Sequence, residues 1–461
     1  MDGATAERLA RPIAVAALPR LRRLVPAAIV TLLVVGNGVA IVWLWFHGGN
    51  VTKVHTTAEA LTSVGRITGL LSAYLALIQV ILLARLPALE RAVGFDRLSR
   101  WHRWNGHACI DLVIAHVIFT VWGYTLADRI SLGKEISTML GGGIYPGMIT
   151  ATVGTALLLA VVASSLVIVR RRLSYEWWYV VHLMAYAGIA LSWFHEIPTG
   201  NELVLDRTAA NYWRGLYIAT LVILVAFRVL APTIAAFRYR IRVAEVTYET
   251  DDVVSIRMTG RNLDRLRASA GQFFLWRFLE RHRWWTAHPF SLSAAPDGRS
   301  LRITVKALGD HTSRFGDIRP GTRVVAEGPF GVFTPDVRTR GKAVLIAGGI
   351  GITPIRALLE TMPGDLIVLY RVVADDDVIF RDELDRVAGA RGATLHYVVG
   401  DHRGTGADLL SPAHLKELVP DIDERDVFVC GPPAMTLAIQ RNVRGADVPR
   451  RQIHTERFAL T

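Results

Sequence analysis

Hydrophobic positions are unevenly spread along the 461-residue chain. Six runs, at about 24–46, 62–84, 104–125, 147–169, 177–195 and 213–235, are apolar over the roughly 20 residues a helix needs to cross a bilayer core of about 30 Å. Each predicts a membrane-spanning helix. From about 238 the pattern changes to short alternating runs with turns between them: YRIRVAEVTY, VVSIRMTG, FFLWRF, LRITVKAL and RVVAEGPFG. Alternation of this length predicts the strands of a small antiparallel barrel. From about 341 it changes again. The apolar strand KAVLIAG is followed by a glycine-rich turn, a helix, the strand LIVLYRVV, a helix around 381–389, and the strands TLHYVV and DVFVCG. That order predicts a doubly wound α/β sheet. The expected division is a tail at 1–23, a six-helix transmembrane bundle at 24–235, an antiparallel β-barrel at 236–338 and an α/β nucleotide-binding domain at 339–461.

Composition and charge sharpen this picture. The mean hydropathy of +0.32 averages an apolar half and one of ordinary globular composition. A net charge of +12 would suit nucleic acid, but the arginines gather in particular loops. Arg8, Arg11, Arg20, Arg22 and Arg23 precede the first run. Arg85, Arg91, Arg97, Arg100 and Arg103 lie between the second and third, Arg170, Arg171 and Arg172 between the fourth and fifth, and Arg238, Arg240 and Arg242 after the sixth. The intervening loops are poorer in cations, with Lys53, Arg129, Lys134 and Arg207 the main ones. This is the positive-inside pattern of a multi-pass membrane protein with both termini and the non-membrane half in the cytoplasm. It argues for a lipid bilayer as partner and against nucleic acid, and nothing asks for an obligatory protein partner. The first run is long enough to span and lacks a small-residue cleavage pattern, so no cleavable signal peptide is expected. Cys109 and Cys430, the only cysteines, are too few for a four-thiolate iron–sulfur cluster.

Four histidines lie at two similar separations within the apolar half: His102 and His116 in the third run, His182 and His195 in the fifth. Imidazole is costly inside a membrane unless it has a partner. Fourteen and thirteen residues of helix separate the members of each pair by roughly 20 Å, giving two rungs, one near each membrane face. Haem iron bridged by one histidine from each helix is the simplest chemistry that fits; the alternative is satisfied core or helix-end histidines. The third and fifth helices start on the same side, so His102 faces His182 at the inner rung and His116 faces His195 at the outer. Fourteen residues return to within about 40° of one helix face, whereas thirteen miss by about 140°. The fifth helix must be kinked or rotated, or His195 must lie past its regular end, as Pro198 would allow. His107 has no counterpart and reads as structural, with Asp111 four residues on as a partner. Arg66, deep in the second run, is expected to meet an anionic group near the outer rung, or else to snorkel to the interface.

In the second half, AGGIGITPI (347–355) follows a buried strand and opens a helix. Gly348, Gly349 and Gly351 let the backbone approach a pyrophosphate at the helix N-terminus. CGPPAMT (430–436) ends a later strand of the same sheet, which makes a nucleotide crevice. In HPFSLS (288–293), Phe290 could lie against a flat ring and Ser291 could hydrogen-bond it. In VKALGDHTSRF (305–315), Lys306, Gly309, Thr312 and Ser313 could meet a phosphate.

HPFSLS, VKALGDHTS, GPFG, AGGIGITPI and CGPPAMT, in this order, resemble the ferredoxin–NADP reductase superfamily. Behind six helices with histidines at these separations, the chain from about 24 to 461 resembles the ferric reductase and NADPH oxidase family of transmembrane electron carriers. The resemblance implies FAD held by His288, Pro289, Phe290 and Ser291, with Gly309, Thr312 and Ser313 at its pyrophosphate. It implies a nicotinamide nucleotide at Gly348, Gly349, Gly351 and Thr353, with Cys430, Gly431 and Pro432 near the nicotinamide. It also implies two haems b on His102, His116, His182 and His195. Soluble members usually begin the flavin motif with arginine, where this chain has His288. Eukaryotic oxidases end on an aromatic residue over the flavin; here the chain ends ERFALT, and Phe458, beside Glu456, is the candidate. The expected activity carries electrons from cytoplasmic NADPH, through FAD and two haems b, to dioxygen or a ferric chelate outside the cell membrane. Two alternatives stay open: delivery to a partner redox protein or quinone, and a haem-binding anchor without transmembrane flux. Arg371, ending the second strand of the sheet, is the candidate for the 2′-phosphate of NADPH, with Arg381 as a second cation; NADH remains possible.

Overall fold

The computed structural model describes residues 18–457 except 142–144, 171–172, 174, 200, 282, 310–311 and 402–408. It divides into two compact units, Val25–Val229 and a second made chiefly of Leu230–Thr461.

In the first unit, six helices are long and apolar enough to cross a membrane. They are α1 (Leu18–Trp45), α2 (Thr57–Leu82), α3 (Phe95–Asp128), α4 (Met148–Ser165), α5 (Tyr175–Thr199) and α6 (Arg207–Val225). The last runs on through a π turn to Tyr239. Several begin before their apolar runs because polar caps start them. The Thr56 hydroxyl accepts from the Glu59 N–H at 3.2 Å and the Glu59 carboxylate accepts from the Thr56 N–H at 3.0 Å, a capping box that opens α2 in polar sequence. Asp206 caps α6 through the Thr208 N–H.

Without water between them, membrane helices associate through close packing on small residues. A Cβ on Gly65 would lie 2.4 Å from the Thr120 hydroxyl, and one on Gly123 2.6 Å from a Thr62 methyl, so α2 and α3 meet backbone to side chain. Gly154 and Gly188 do the same for α4 and α5, each approaching the other's carbonyl. Tyr74 donates to the Val34 carbonyl and Tyr212 to Asn37 Oδ1, both at 2.7 Å, tying α1 to α2 and α6. An amphipathic helix, Leu132–Leu140, lies between α3 and α4, where its shortness hid it from a search for spans.

In the second unit six antiparallel strands form two sheets, of order β1 (Arg242–Thr250), β2 (Val253–Thr259), β5 (Ser300–Lys306) and β4 (His288–Ser291), β3 (Phe273–Phe278), β6 (Val324–Phe330). Bridges Arg242↔Arg323 and Leu292↔Ile303 join the sheets into a barrel around Ile256, Met258, Phe274, Trp276 and Phe315. Five parallel strands follow, ordered β11 (Ile453–Arg457), β10 (Asp426–Gly431), β7 (Lys342–Gly348), β8 (Asp365–Val372) and β9 (Thr394–Val399). Helices α7 (Ile352–Thr361), α8 (Arg381–Arg391), α9 (Pro412–Leu418) and α10 (Pro433–Gly445) accompany them. From Ala343 onward β7 is buried, as a strand covered on both faces must be, which is why it reads as one apolar run. The edge strand β11 is an addition to the expected sheet; IHTER is too polar to announce itself.

Barrel and sheet are clamped through charged groups. Arg302 of β5 donates to both Glu383 oxygens of α8, at 2.8 and 3.0 Å, and Arg356 of α7 reaches the same carboxylate at 2.6 Å. Burial works against the charge on Glu383, but the two guanidiniums outweigh it and hold its carboxyl below the usual range.

Candidate functional site

The histidines of the membrane unit fall on two helices, His102 and His116 on α3, His182 and His195 on α5. The rings of His102 and His182 have centres 6.0 Å apart. With metal–nitrogen bonds of about 2 Å and about 1.1 Å from nitrogen to ring centre, two imidazoles on opposite sides of one metal have centres about 6 Å apart. The two rings, tilted by 48°, are therefore far enough apart for one metal to be held between them. His116 lies within electrostatic range of His195.

Three of the rings are oriented through Nδ1, which meets the Gln79 carbonyl at 3.2 Å in His102, the Gly65 carbonyl at 2.7 Å in His116 and the Ser165 hydroxyl at 3.5 Å in His182. In His195 the Thr199 hydroxyl approaches both ring nitrogens, Nδ1 at 3.1 Å and Nε2 at 3.5 Å. An Nδ1 contact fixes ring direction and turns Nε2 toward a metal. These partners were not read from the sequence, although polar or small residues at 65, 79, 165 and 199 inside or beside apolar runs are the signal. Gly69 belongs with them: a Cβ there would sit 2.7 Å from His116 Nδ1. Among the described residues no group of three or more His, Cys, Asp or Glu side chains converges as a protein-only metal site requires.

His195 lies inside α5, four residues before its end, and Pro198 is accommodated in the last turn, so the expectation that His195 might lie past the regular helix is replaced by a continuous helix. Proline offers no N–H to the Phe194 carbonyl. That carbonyl instead lies where a Cβ on Gly147 would be 2.4 Å away, and Gly147 takes φ +76° to start α4. His107 and Asp111 are exposed on α3. Arg66 donates to Asn50 Oδ1 at 3.0 Å, beside the Gly65 carbonyl that holds His116.

In the barrel, β4 lies against β3 with His288 opposite Trp276 and Ser291 opposite Phe273. Trp276 Nε1 donates to the Phe290 carbonyl at 2.9 Å, fixing the strand. His288 and Phe290 are nearly parallel, with centres 6.0 Å apart, and both stand edge-on to Phe315. Pro289 sits between them, half-buried, and Ser291 is buried. In the following loop the Thr312 hydroxyl accepts from the N–H groups of Leu308 and Gly309, and the Ser313 N–H donates to the Gly309 carbonyl. Nothing lies within 4 Å of where a Cβ on Gly309 would be, so this glycine fronts open space. Lys306 is paired with Asp252 at 3.1 Å.

In the sheet, the strand order reverses between β7 and β10, and their C-terminal ends carry Gly348–Gly351 and Gly431–Pro432. Ligands bind at such a switch point. A Cβ on Gly351 would lie 2.3 Å from the Cys430 carbonyl oxygen, whereas Gly349, at φ +50°, has open space beside it. The α7 N-terminus has no side-chain cap, and its first N–H, that of Ile352, bonds back to the Gly349 and Ile350 carbonyls. Thr353 is buried, its hydroxyl donating to the Ile350 carbonyl at 3.1 Å. Cys430 is fully buried; burial pushes its thiol well up, and Glu456 lies opposite it on β11. The Arg371 guanidinium lies on the Val372 and Val398 carbonyls, while Arg381 pairs with Asp375 at 2.5 Å and covers Tyr397. Phe458 lies outside the described residues.

Comparison with known proteins bears on each part. A ferric reductase like transmembrane component matches residues 68–193, an FAD-binding domain 238–334 and an oxidoreductase NAD-binding domain 345–441. Ferredoxin–NADP reductase B of Sorangium cellulosum is 30% identical over 189 residues, 37% of this chain and 77% of that protein. The ferredoxin reductase component of 3-ketosteroid-9-alpha-monooxygenase from Mycolicibacterium smegmatis is 32% identical over 236 residues, 47% of this chain. The chain spans 65% of that relative's length. The solved FAD/NAD-binding domain of nitric oxide dioxygenase from Vibrio cholerae is 22% identical, with a TM-score of 0.40 over 48% of this chain and 98% of that one. Six apolar helices, a ferric reductase-like membrane component among them, and the FAD- and NAD-binding domains that follow give this chain the ferric reductase and NADPH oxidase-like architecture, an NAD(P)H-dependent oxidoreductase with a ferredoxin–NADP reductase-like module.

Proposed function

We propose that the chain carries electrons from cytoplasmic NADPH, through FAD and two bis-histidine haems b, across the cell membrane to dioxygen or ferric iron on the outer side. The observation that carries this reading is the 6.0 Å separation of the His102 and His182 rings, both held through Nδ1. When bound, FAD converts a two-electron hydride into single electrons and haem b carries them one at a time. His102 and His182 hold the inner iron, His116 and His195 the outer. Arg66, anchored on Asn50 beside the outer pair, offers a positive charge to a haem carboxylate. His288, Phe290 and Phe315 supply an apolar aromatic wall for the flavin ring, with Pro289 between them and the Ser291 hydroxyl within the same strand. Lys306, Gly309, Thr312 and Ser313 surround its phosphates. Gly348, Gly349, Gly351 and Thr353 would hold the nucleotide pyrophosphate, and Cys430, Gly431 and Pro432 would lie near the nicotinamide. The arginine-rich loops support a cytoplasmic side for both termini and the flavin module. Assaying superoxide and ferrous iron in one NADPH-driven preparation separates the two acceptors; formation of neither, with haem reduced, points to a partner protein or quinone.

Gly309 tests the flavin site. A Cβ there meets nothing in the protein, so Gly309→Ala is expected to fold normally and keep its haem while retaining less FAD through purification. FAD retention equal to wild type would show that the open space serves no pyrophosphate.

Arg371 tests nucleotide choice. A charged hydrogen bond to a phosphate is worth about 1.5–3 kcal/mol, so Arg371→Ala should raise KM for NADPH by about tenfold or more and leave that for NADH nearly unchanged. Equal effects on both nucleotides would reduce Arg371 to a strand-end residue resting on the Val372 and Val398 carbonyls.

A further inference from the structure

Where the chain leaves its sixth spanning segment at Tyr239, four exposed arginines gather: Arg240 next in sequence, Arg242 at the start of β1, Arg261 after β2 and Arg323 before β6. Among the described residues none of them pairs with a carboxylate. Arg240 donates to the Phe237 carbonyl at 3.3 Å and Arg242 to the Gly321 carbonyl at 2.9 Å, contacts that leave both charges uncompensated. Arg242 and Arg323 are direct partners in the antiparallel bridge that closes the barrel. Like charges held opposite one another across a ladder repel, so this arrangement works against the fold unless an anion lies between them.

Two adjoining hollows share Arg240 and Arg242. One, of about 340 Å³, has Thr259, Gly260 and Arg261 as its remaining walls. The other, of about 420 Å³, adds Arg323 and an apolar side that includes Phe237, Leu279 and Val325. Phe237 is 73% exposed. A small inorganic anion has no use for an apolar wall, and a purely apolar ligand has none for uncompensated guanidiniums. A molecule with both parts, met at the last residue of a membrane span, is a phospholipid.

We propose that these hollows bind the headgroup of an anionic phospholipid, its phosphate between Arg242 and Arg323 and the first carbons of its chains along Phe237 and Leu279. The site fixes the barrel against the membrane surface, and its occupancy offsets the repulsion built into the bridge.

The test uses the full chain in neutral detergent, with its thermal midpoint followed as phosphatidylglycerol, phosphatidylcholine or sodium phosphate is added. Phosphatidylglycerol should raise the midpoint, because a ligand that binds only the folded state stabilises it, and phosphatidylcholine should not. One arginine near a lipid surface is worth a factor of about five in affinity, so Arg242→Gln and Arg323→Gln should each weaken the phosphatidylglycerol response about fivefold, and Arg265→Gln, elsewhere on the barrel, should not. If Arg242→Gln does not fold, Arg323→Gln alone carries the test, since it removes a repelling neighbour and leaves Arg242 on the Gly321 carbonyl. An equal response to phosphatidylcholine, full reproduction of the shift by inorganic phosphate, or unchanged phosphatidylglycerol affinity in Arg323→Gln would each overturn the proposal.

Discussion

Replacing His102 or His182 by Leu is expected to remove the inner haem, and replacing His116 or His195 the outer, each variant retaining about half of the wild-type haem per chain. In the proposed pairing each iron would lose one of its two imidazoles, and leucine occupies the place without offering a lone pair. The four variants should fall into two spectral classes, because each proposed rung would take one histidine from α3 and one from α5. His107→Leu should retain both haems, as His107 is exposed on α3. Quantifying haem per polypeptide decides the assignment: a ligand variant that keeps the full complement with an unchanged spectrum removes that histidine from the set, and haem loss in His107→Leu replaces one partner. Gly69→Ala is a subtler companion. Its Cβ would press on His116 Nδ1 and should perturb the outer haem without touching a ligand.

The other large effect belongs to Gly351. A methyl group there would lie 2.3 Å from the Cys430 carbonyl oxygen, 2.6 Å from its carbon and 2.8 Å from Gly431 Cα. All three are backbone atoms, so no side-chain rotation relieves the clash, and α7 must move off β10. Overpacking of this kind costs about 1–3 kcal/mol and sometimes more. Because the movement would disturb the proposed nucleotide crevice at the ends of β7 and β10, Gly351→Ala should abolish NADPH-driven turnover while both haems remain. Gly349→Ala should be milder for the fold, since its penalty is only the left-handed backbone, about 1–2 kcal/mol. Wild-type KM for NADPH in Gly351→Ala would mean that the glycine turn does not shape the nucleotide site.

Much of this was legible in the sequence because the costs involved are large. A charged or imidazole side chain inside a membrane must have a reason, so four histidines at two separations announced themselves. The strand KAVLIAG followed by glycines was equally plain, since a twice-covered strand cannot hide its composition. What stayed hidden depends on tertiary contacts. The angular mismatch between His182 and His195 asks for a fifth helix that is kinked or rotated, or that ends before His195; α5 runs through His195 to Thr199, with Pro198 absorbed in its last turn, which removes the last of these. The Nδ1 partners come from α2, α4 and α5, and no local pattern links Gly65 to His116 or Gln79 to His102. Cys430 was visible as part of a motif, but its complete burial was not. The partner of Arg66, Asn50, comes from the end of the first span. The clamp of Arg302, Glu383 and Arg356 joins three elements far apart in sequence, and β11 is an edge strand with too little apolar content to stand out.

Electron flow from nucleotide to membrane is the central claim, and a reduced-minus-oxidised spectrum recorded after adding NADPH to the purified full chain without oxygen tests it most directly. The account predicts that the flavin bands bleach and the bands of ferrous haem b follow, accounting for both haems. Flavin that bleaches while the haem stays ferric would contradict it, leaving a haem-binding membrane anchor joined to a reductase that serves another acceptor.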